Sequence, residues 1–187
     1  MTTETATTYP ITRSTWEFDP AHTSVEFRVK HMMVTTVKGR FTGVQGKIIG
    51  NVEDPAQSDV NVVIDAASSD TRNDQRDAHL RSADFLDVEK FPHITFKSAH
   101  VEHIGDDELK VIGDLTVRNV TKEVTLDVTL NGTGKSPYGM ELTGLEAKTT
   151  INRKEFGLNW NVALETGGWL VGDEIKIEID VEAIKQQ

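Results

Sequence analysis

Apolar side chains return at every second position over much of this chain. Across residues 24–30, Val25, Phe27 and Val29 alternate with Glu26, Arg28 and Lys30. Val124, Leu126, Val128 and Leu130 alternate with Thr125, Asp127 and Thr129, and Ile175, Ile177, Ile179 and Val181 with Lys176, Glu178, Asp180 and Glu182. Successive side chains of a strand point to opposite faces, so this period predicts strands with one dry and one wet face. Weaker strand patterns cover 15–19, 38–49, 59–67, 93–101, 109–117 and 138–151. Clusters of Gly, Asp, Asn and Pro at 50–55, 105–107, 131–137 and 167–172 punctuate them. About eight or nine strands with one apolar face each fit an antiparallel barrel or a sandwich. Gly39, Gly43, Gly46 and Gly50 recur along one long strand, which suits bending around a barrel.

One segment breaks the period. Residues 70–86, DTRNDQRDAHLRSADFL, carry Thr71 and Asp74 at capping-box spacing, followed by good helix formers. They predict a single helix of two to three turns inserted between strands, ended by Phe91-Pro92 and placed to close one end of a barrel. The expected fold is therefore all-β, an antiparallel lipocalin-like barrel of about eight strands with one short inserted helix. Residues 1–14 read as a flexible N-terminal arm and 15–187 as one domain.

Composition narrows the function. Twenty basic against thirty acidic residues give a net charge of −10, which argues against nucleic acid and against a basic membrane anchor. There is no cysteine, so disulfides, thiolate nucleophiles and cysteine-ligated metals are excluded. No apolar run approaches the ~18 residues of a spanning helix, so no stable membrane insertion is expected. The Thr-rich N-terminus has no apolar core of a signal peptide, and a cytoplasmic protein is expected.

The six histidines do not make a metal site. His100 and His103 form the only close pair, and on a strand that odd spacing turns them to opposite faces. His31 continues the parity of Val25, Phe27 and Val29. It is read either as a polar group orienting an amphiphile at the end of an apolar face or as a buried histidine bonded to a neighbour. Asp77 and Arg81 have the spacing of a helix-surface ion pair, whereas Arg76 and His79, three apart, could offer donors at a cavity mouth. No Gly-x-Ser-x-Gly elbow, Walker motif or Gly-x-Gly-x-x-Gly is present, and no catalytic residue, metal or cofactor is assigned. An eight-stranded barrel can pack itself solid or hold one ligand, and the abundance of Val, Thr, Ile and Gly leaves room for a cavity.

A set of blocks resembles the YceI-like, polyisoprenoid-binding family. They are Trp16–Asp19 with Pro20-Ala21-His22-Thr23-Ser24-Val25-Glu26-Phe27, then Val29-Lys30-His31 and Gly39-Arg40-Phe41. Arg76-Asp77-Ala78-His79-Leu80, Asp84-Phe85 and Phe91-Pro92-His93-Ile94-Thr95-Phe96 are the most specific. Gly113-Asp114-Leu115-Thr116-Val117, Thr121-Lys122, the run from Asn152 to Leu158 and Val171-Gly172-Asp173-Glu174 complete the match over roughly 15–185. Asn119 stands where relatives often have glycine.

The resemblance implies a non-enzymatic carrier whose apolar pore holds an isoprenoid, an isoprenoid-quinone-like lipid or another long-chain amphiphile. Phe27, Val29, Phe41, Ile64, Phe85, Phe96, Leu115 and Trp160 are the expected pore lining. His31, Arg76, Asp77, His79 and Arg153 are the expected polar mouth. Some members look dimeric, which makes a second copy of this chain a candidate partner. Two competing readings stand beside it. One is a hydrolase or isomerase using His31 or His79 as acid–base on a lipid-like substrate, and the other is a solid barrel serving as a protein-interaction module.

Overall fold

The computed structural model describes residues 13–51 and 54–187. The arm expected over 1–14 lies outside the described residues except for Arg13 and Ser14. Arg13 donates to the carbonyls of Ile49 (3.1 Å) and Gln57 (3.0 Å), and Ser14 opens the first strand.

The described residues form eleven strand segments: β1 (Ser14–Phe18), β2 (Ser24–His31), β3 (Thr35–Phe41), β4 (Val44–Asn51), β5 (Asp54–Asp65), β6 (Ser69–Asp70), β7 (His93–His103), β8 (Glu108–Val117), β9 (Val120–Lys135), β10 (Glu141–Asn152) and β11 (Val171–Lys185). The single helix α1 (Asp74–Arg81) follows β6, and two 3₁₀ turns occupy Ala66–Ser68 and Arg153–Phe156. Pairing runs β1-β4-β5-β7-β8-β9-β10-β11, and β11 returns to β1 through Trp16↔Lys185. All these pairs are antiparallel, so the sheet closes into a barrel. β2 and β3 extend β1 and β4 past corners at 19–23 and 42–43, pairing with each other and, through Phe27↔Ile177, with β11. Counting each bent pair as one strand gives eight staves.

The single strand expected over 38–49 is thus two. At its corner Thr42 donates to the Ser68 carbonyl (3.2 Å) and Asp65 to that of Gly43 (2.8 Å), so the chain turns instead of continuing its ladder. The β1–β2 corner is held by Asp19, which accepts from the Ala21 N–H (2.9 Å) and bonds His22 Nδ1 (2.7 Å). Tyr138, expected to open a strand, lies in the turn before β10 and is exposed. Glycine has a steric role at two places. A Cβ on Gly39 would run into the ring of its cross-strand partner Phe27, and one on Gly46 into Phe18. Asn119 is explained by its φ of 62° in the β8–β9 turn, a left-handed conformation that Asn tolerates almost as glycine does.

The helix, eight residues long, has the expected two to three turns but starts differently. Asn73, not Thr71, is its N-cap, accepting from the Arg76 N–H at 2.8 Å. Thr71 instead donates its N–H (2.8 Å) and hydroxyl (2.6 Å) to Asp77 Oδ1, which ties the helix to β6. Buried residues gather on the inner faces. Phe96, Val101, Leu109, Val111, Val128 and Ala147 form one cluster; Ala66, Ile94, Val117 and Phe156 form a second near the helix.

Candidate functional site

The inward faces do not meet. They enclose a cavity of about 290 Å³ that extends along the barrel, lined almost wholly by carbon. The alternating positions of the sequence supply its wall: Val124, Leu126, Val128 and Leu130 from β9 and Ile175, Ile177, Ile179 and Val181 from β11 stand on the same inner face, either side of β10. The register makes this automatic, since Leu145 pairs with Val181 and Leu130, and Ala147 with Ile179 and Val128. Val25, Phe27 and Val29 of β2 continue the wall. At the helix end Leu80, Phe85, Leu86 and Leu158 close in on it.

Seven of the expected pore residues, Phe27, Val29, Phe41, Ile64, Phe85, Phe96 and Leu115, line this cavity. Trp160 does not; it stands behind Phe85, with ring centroids 5.4 Å apart. Period-two parity identifies inward positions on strands, but Trp160 lies in a loop, where parity carries no information.

Four of the five residues expected at a polar mouth have other positions. Asp77 is buried under Thr71, and the Asp77–Arg81 ion pair does not form because Arg81 donates to the Ser69 carbonyl at 2.7 Å. Arg76 folds back onto Thr71, Nε to the hydroxyl at 2.7 Å and Nη2 to the carbonyl at 2.9 Å. His79 bonds Asp84 Oδ2 through Nε2 (2.9 Å) and meets the rings of Trp160 and Phe85 edge-on at 4.5 and 5.0 Å. This layer braces the helix over the barrel end, one side chain removed from the cavity. His31 ends β2 beside Val171, where a bulge between Val171 and Ile175 shifts the register, and it is not in the cavity wall.

Arg153 does reach the wall, as a strut. It is 1% exposed, and its guanidinium donates to the carbonyls of Gly172 (2.8 Å), Trp160 (2.9 Å), Leu158 and Val171, with Asp173 at 3.5 Å. Burial lowers its pKa and the Asp173 charge opposes that shift. With its donors spent on backbone, the side chain presents mainly its methylenes to the cavity.

The residue that sequence reasoning missed is Ser69. It is fully buried, lines the cavity, and its hydroxyl has no hydrogen-bond partner. A buried unpaired hydroxyl is uncommon, and here it is a polar atom beside an otherwise apolar space. Nothing in the run around Ser69 marked it, because β6 is two residues long.

Three of the other four histidines, His22, His100 and His103, have local partners. His100 bonds Glu102 at 2.8 Å and His103 the Gly105 carbonyl at 3.4 Å. Asp19, His22 and Glu182 bring ligand-type atoms within 4.8 Å of one another, on the outside at the β1–β2 corner. That contact serves the corner: the hydrogen bond and the charges of Glu182 and Asp19 raise the His22 pKa, and the same bond lowers that of Asp19.

Known proteins share this architecture. UPF0312 protein SAB2563 of Staphylococcus aureus (strain bovine RF122 / ET3-1) is 42% identical over 166 residues, covering 88% of this chain and 94% of the relative. The crystal structure of the Campylobacter jejuni YCEI protein aligns with a TM-score of 0.73 at 31% identity, over 84% of this chain and 90% of that one. Burkholderia cenocepacia BcnA aligns at 0.78 with 23% identity, over 88% and 98%. A polyisoprenoid binding domain from Saccharophagus degradans, implicated in plant cell wall breakdown, aligns at 0.66 with 16% identity, over 91% and 98%. The last two share the fold. The YceI-like domain model matches residues 16–183, nearly the whole barrel, and the chain belongs to the YceI-like domain family.

Proposed function

We propose that this protein is a non-enzymatic carrier that holds a polyisoprenoid, or a similar long-chain amphiphile, in the barrel cavity. The observation that carries the reading is the cavity itself, carbon-lined along the barrel. The Saccharophagus degradans neighbour, described as a polyisoprenoid binding domain, supports the same ligand class. The β11 wall from Ile175 to Val181 advances six residues, about 20 Å along the strand and about 15 Å along a barrel axis tilted ~40°. An extended isoprene unit, four carbon–carbon bonds long, spans about 5 Å, so about three units fit that stretch. Each unit has five carbons, and burying them yields on the order of 4 kcal/mol before the cost of ordering the chain.

Affinity in this reading depends on chain length more than on head group, because the wall offers few polar atoms. Ser69 is the candidate partner for a single ligand oxygen. The acid–base alternative has weaker support: none of the described lining residues is a histidine, and an acid–base group must come within about 3 Å of its proton.

The test is native mass spectrometry of protein purified without detergent, then organic extraction and titration with prenyl alcohols of increasing length. A co-purifying prenyl lipid, or affinity that rises with each unit up to about three, is expected. No binding at any length would overturn the proposal. Replacing Ser69 by Ala should weaken a prenyl alcohol but not the corresponding hydrocarbon.

A further inference from the structure

Two hairpin tips stand side by side at the helix end of the barrel, and both expose apolar side chains. The first joins β2 to β3. Val34 donates to the His31 carbonyl at 3.2 Å, and the two residues between them, Met32 and Met33, have φ of 51° and 63°. Two consecutive positive φ values mark a type I′ turn, for which Asn-Gly is the preferred pair and unbranched apolar residues are poor choices. The second tip spans 162–170. Leu170 donates to the Val162 carbonyl (2.9 Å) and Leu164 to that of Gly168 (3.0 Å), while Asn161 Oδ1 accepts from the N–H groups of Val162 and Val171 at its base. The tips are joined, because Met32 donates its N–H to the Leu170 carbonyl at 2.8 Å and Met33 Sδ lies over Gly168.

The patch they form is apolar and held together by backbone hydrogen bonds. Of nine large apolar side chains exposed among the described residues, five stand here: Met32, Met33 (68%), Val34 (78%), Val162 and Trp169 (53%). Backbone strain is kept at a surface position where Asn-Gly would remove it, and what is gained is a pair of methionines facing solvent. Strain of that kind points to a use for the side chains. Methionine adapts to irregular apolar surroundings, and tryptophan favours an interface wet at one end.

Charge identifies the surroundings. The protein carries −10 overall, yet residues 27–52 contain no Asp or Glu. Within that stretch Arg28 and Arg40 are engaged by Glu178 and Asp70, while Lys30 and Lys38, exposed on the hairpin flanks, have no ion-pair partner among the described residues. The second tip itself carries one acidic residue, Glu165, with Glu174 beyond it, and Asp173 is held by Lys154 at 3.0 Å and by Arg153. An apolar tip flanked by free lysines in an acidic protein fits an anionic lipid surface, where tip side chains enter the interface and lysines meet the head groups.

We propose that the paired tips, Met32–Val34 and Val162–Trp169, form a docking surface for an anionic lipid bilayer. Docking is peripheral, by side chains rather than a spanning segment. It sets the helix end of the cavity, where Val29, Val171, Leu80 and Phe85 close the wall, against the membrane. A carrier needs such a surface to exchange a lipid too insoluble to cross water, but the docking itself does not require that the cavity hold a prenyl chain.

The test is pelleting of the full chain with sucrose-loaded vesicles, of phosphatidylcholine alone or mixed with phosphatidylglycerol. Wild type is expected to pellet with the mixed vesicles and weakly or not at all with phosphatidylcholine. The variant Met32→Asn with Met33→Gly installs the preferred turn pair. It should melt at the same temperature or higher yet pellet about tenfold less, which separates docking from folding. Lys30→Glu and Lys38→Glu should each weaken binding to the anionic vesicles by at least about fivefold. Wild type remaining in the supernatant with both vesicle types would overturn the proposal. So would an Asn-Gly variant that pellets as well as wild type. A patch variant that converts a dimer to a monomer, with no vesicle binding by wild type, would assign the surface to a second copy instead. Prenyl-alcohol titration of the same variant gives an independent reading of the cavity, so loss of docking and loss of ligand binding are distinguishable.

Discussion

Replacing Ala147 by Leu separates a ligand-holding barrel from a solid one. Ala147 is 3% exposed, lines the cavity, and pairs with Val128 on one side and Ile179 on the other. Leucine adds three carbons that project into the space a ligand chain would use. At about 0.8 kcal/mol per buried methylene, three carbons occupy sites worth about 2.4 kcal/mol of ligand burial. At 1.4 kcal/mol per tenfold, that is about a 50-fold loss of affinity for a prenyl alcohol of three units. The same carbons bury themselves in the folded protein, and cavity filling of this kind adds about 0.5–2 kcal/mol of stability. For a domain of this size the melting temperature should rise by about 1–8 °C. Affinity by fluorescence titration and stability by thermal denaturation should therefore move in opposite directions. In a solid core the extra carbons would overpack and cost about 1–3 kcal/mol. A variant that is less stable and binds prenyl chains as well as wild type would refute both the cavity and its assignment as the ligand site.

Two further predictions concern the frame. Arg153→Met keeps the side-chain length but leaves the carbonyls of Gly172, Leu158 and Trp160 without their donor. Breaking such a buried network costs about 3–5 kcal/mol, lowering the melting temperature by about 6–20 °C; a change under about 1 kcal/mol in urea unfolding would show that the strut is not structural. At the β1–β2 corner the His22 pKa is raised above 6.5, so its stabilising contribution is present below pH 6.5 and is lost as pH rises through its folded value. Asp19 is lowered below 3.8, so its contribution is present above pH 3.8 and is lost as pH falls through its folded value. Wild type should lose more stability than His22→Ala between pH 6 and pH 8 in urea titrations, and parallel pH profiles would remove the corner from the account.

Much of this protein was legible from the sequence because strand geometry is local. A strand turns alternate side chains to opposite faces whatever it pairs with, so Val25, Phe27 and Val29, or Ile175 to Val181, announce their dry face without reference to the rest of the chain. The inserted helix was visible for the same reason, as a break in that period, and the family resemblance rested on blocks strung along the chain. What failed was whatever depended on which side chains pair with each other, whether five residues apart or many, because period alone does not choose partners. Asn73 rather than Thr71 caps the helix because Thr71 is taken by Asp77, and the expected strand 38–49 breaks because Ser68 and Asp65 meet it from another segment. Arg76, Asp77 and His79 have the composition of a ligand-facing cluster, but their partners, Thr71 just after β6, Asp84 and the loop carrying Trp160, turn them to bracing. Only the closed barrel decides that opposing faces stand apart and leave a cavity, since width follows from strand number and stagger and not from any one strand. Only it brings Ser69 to the cavity and sets Met33 beside Gly168, because hydrogen bonds between segments far apart in the chain choose those neighbours.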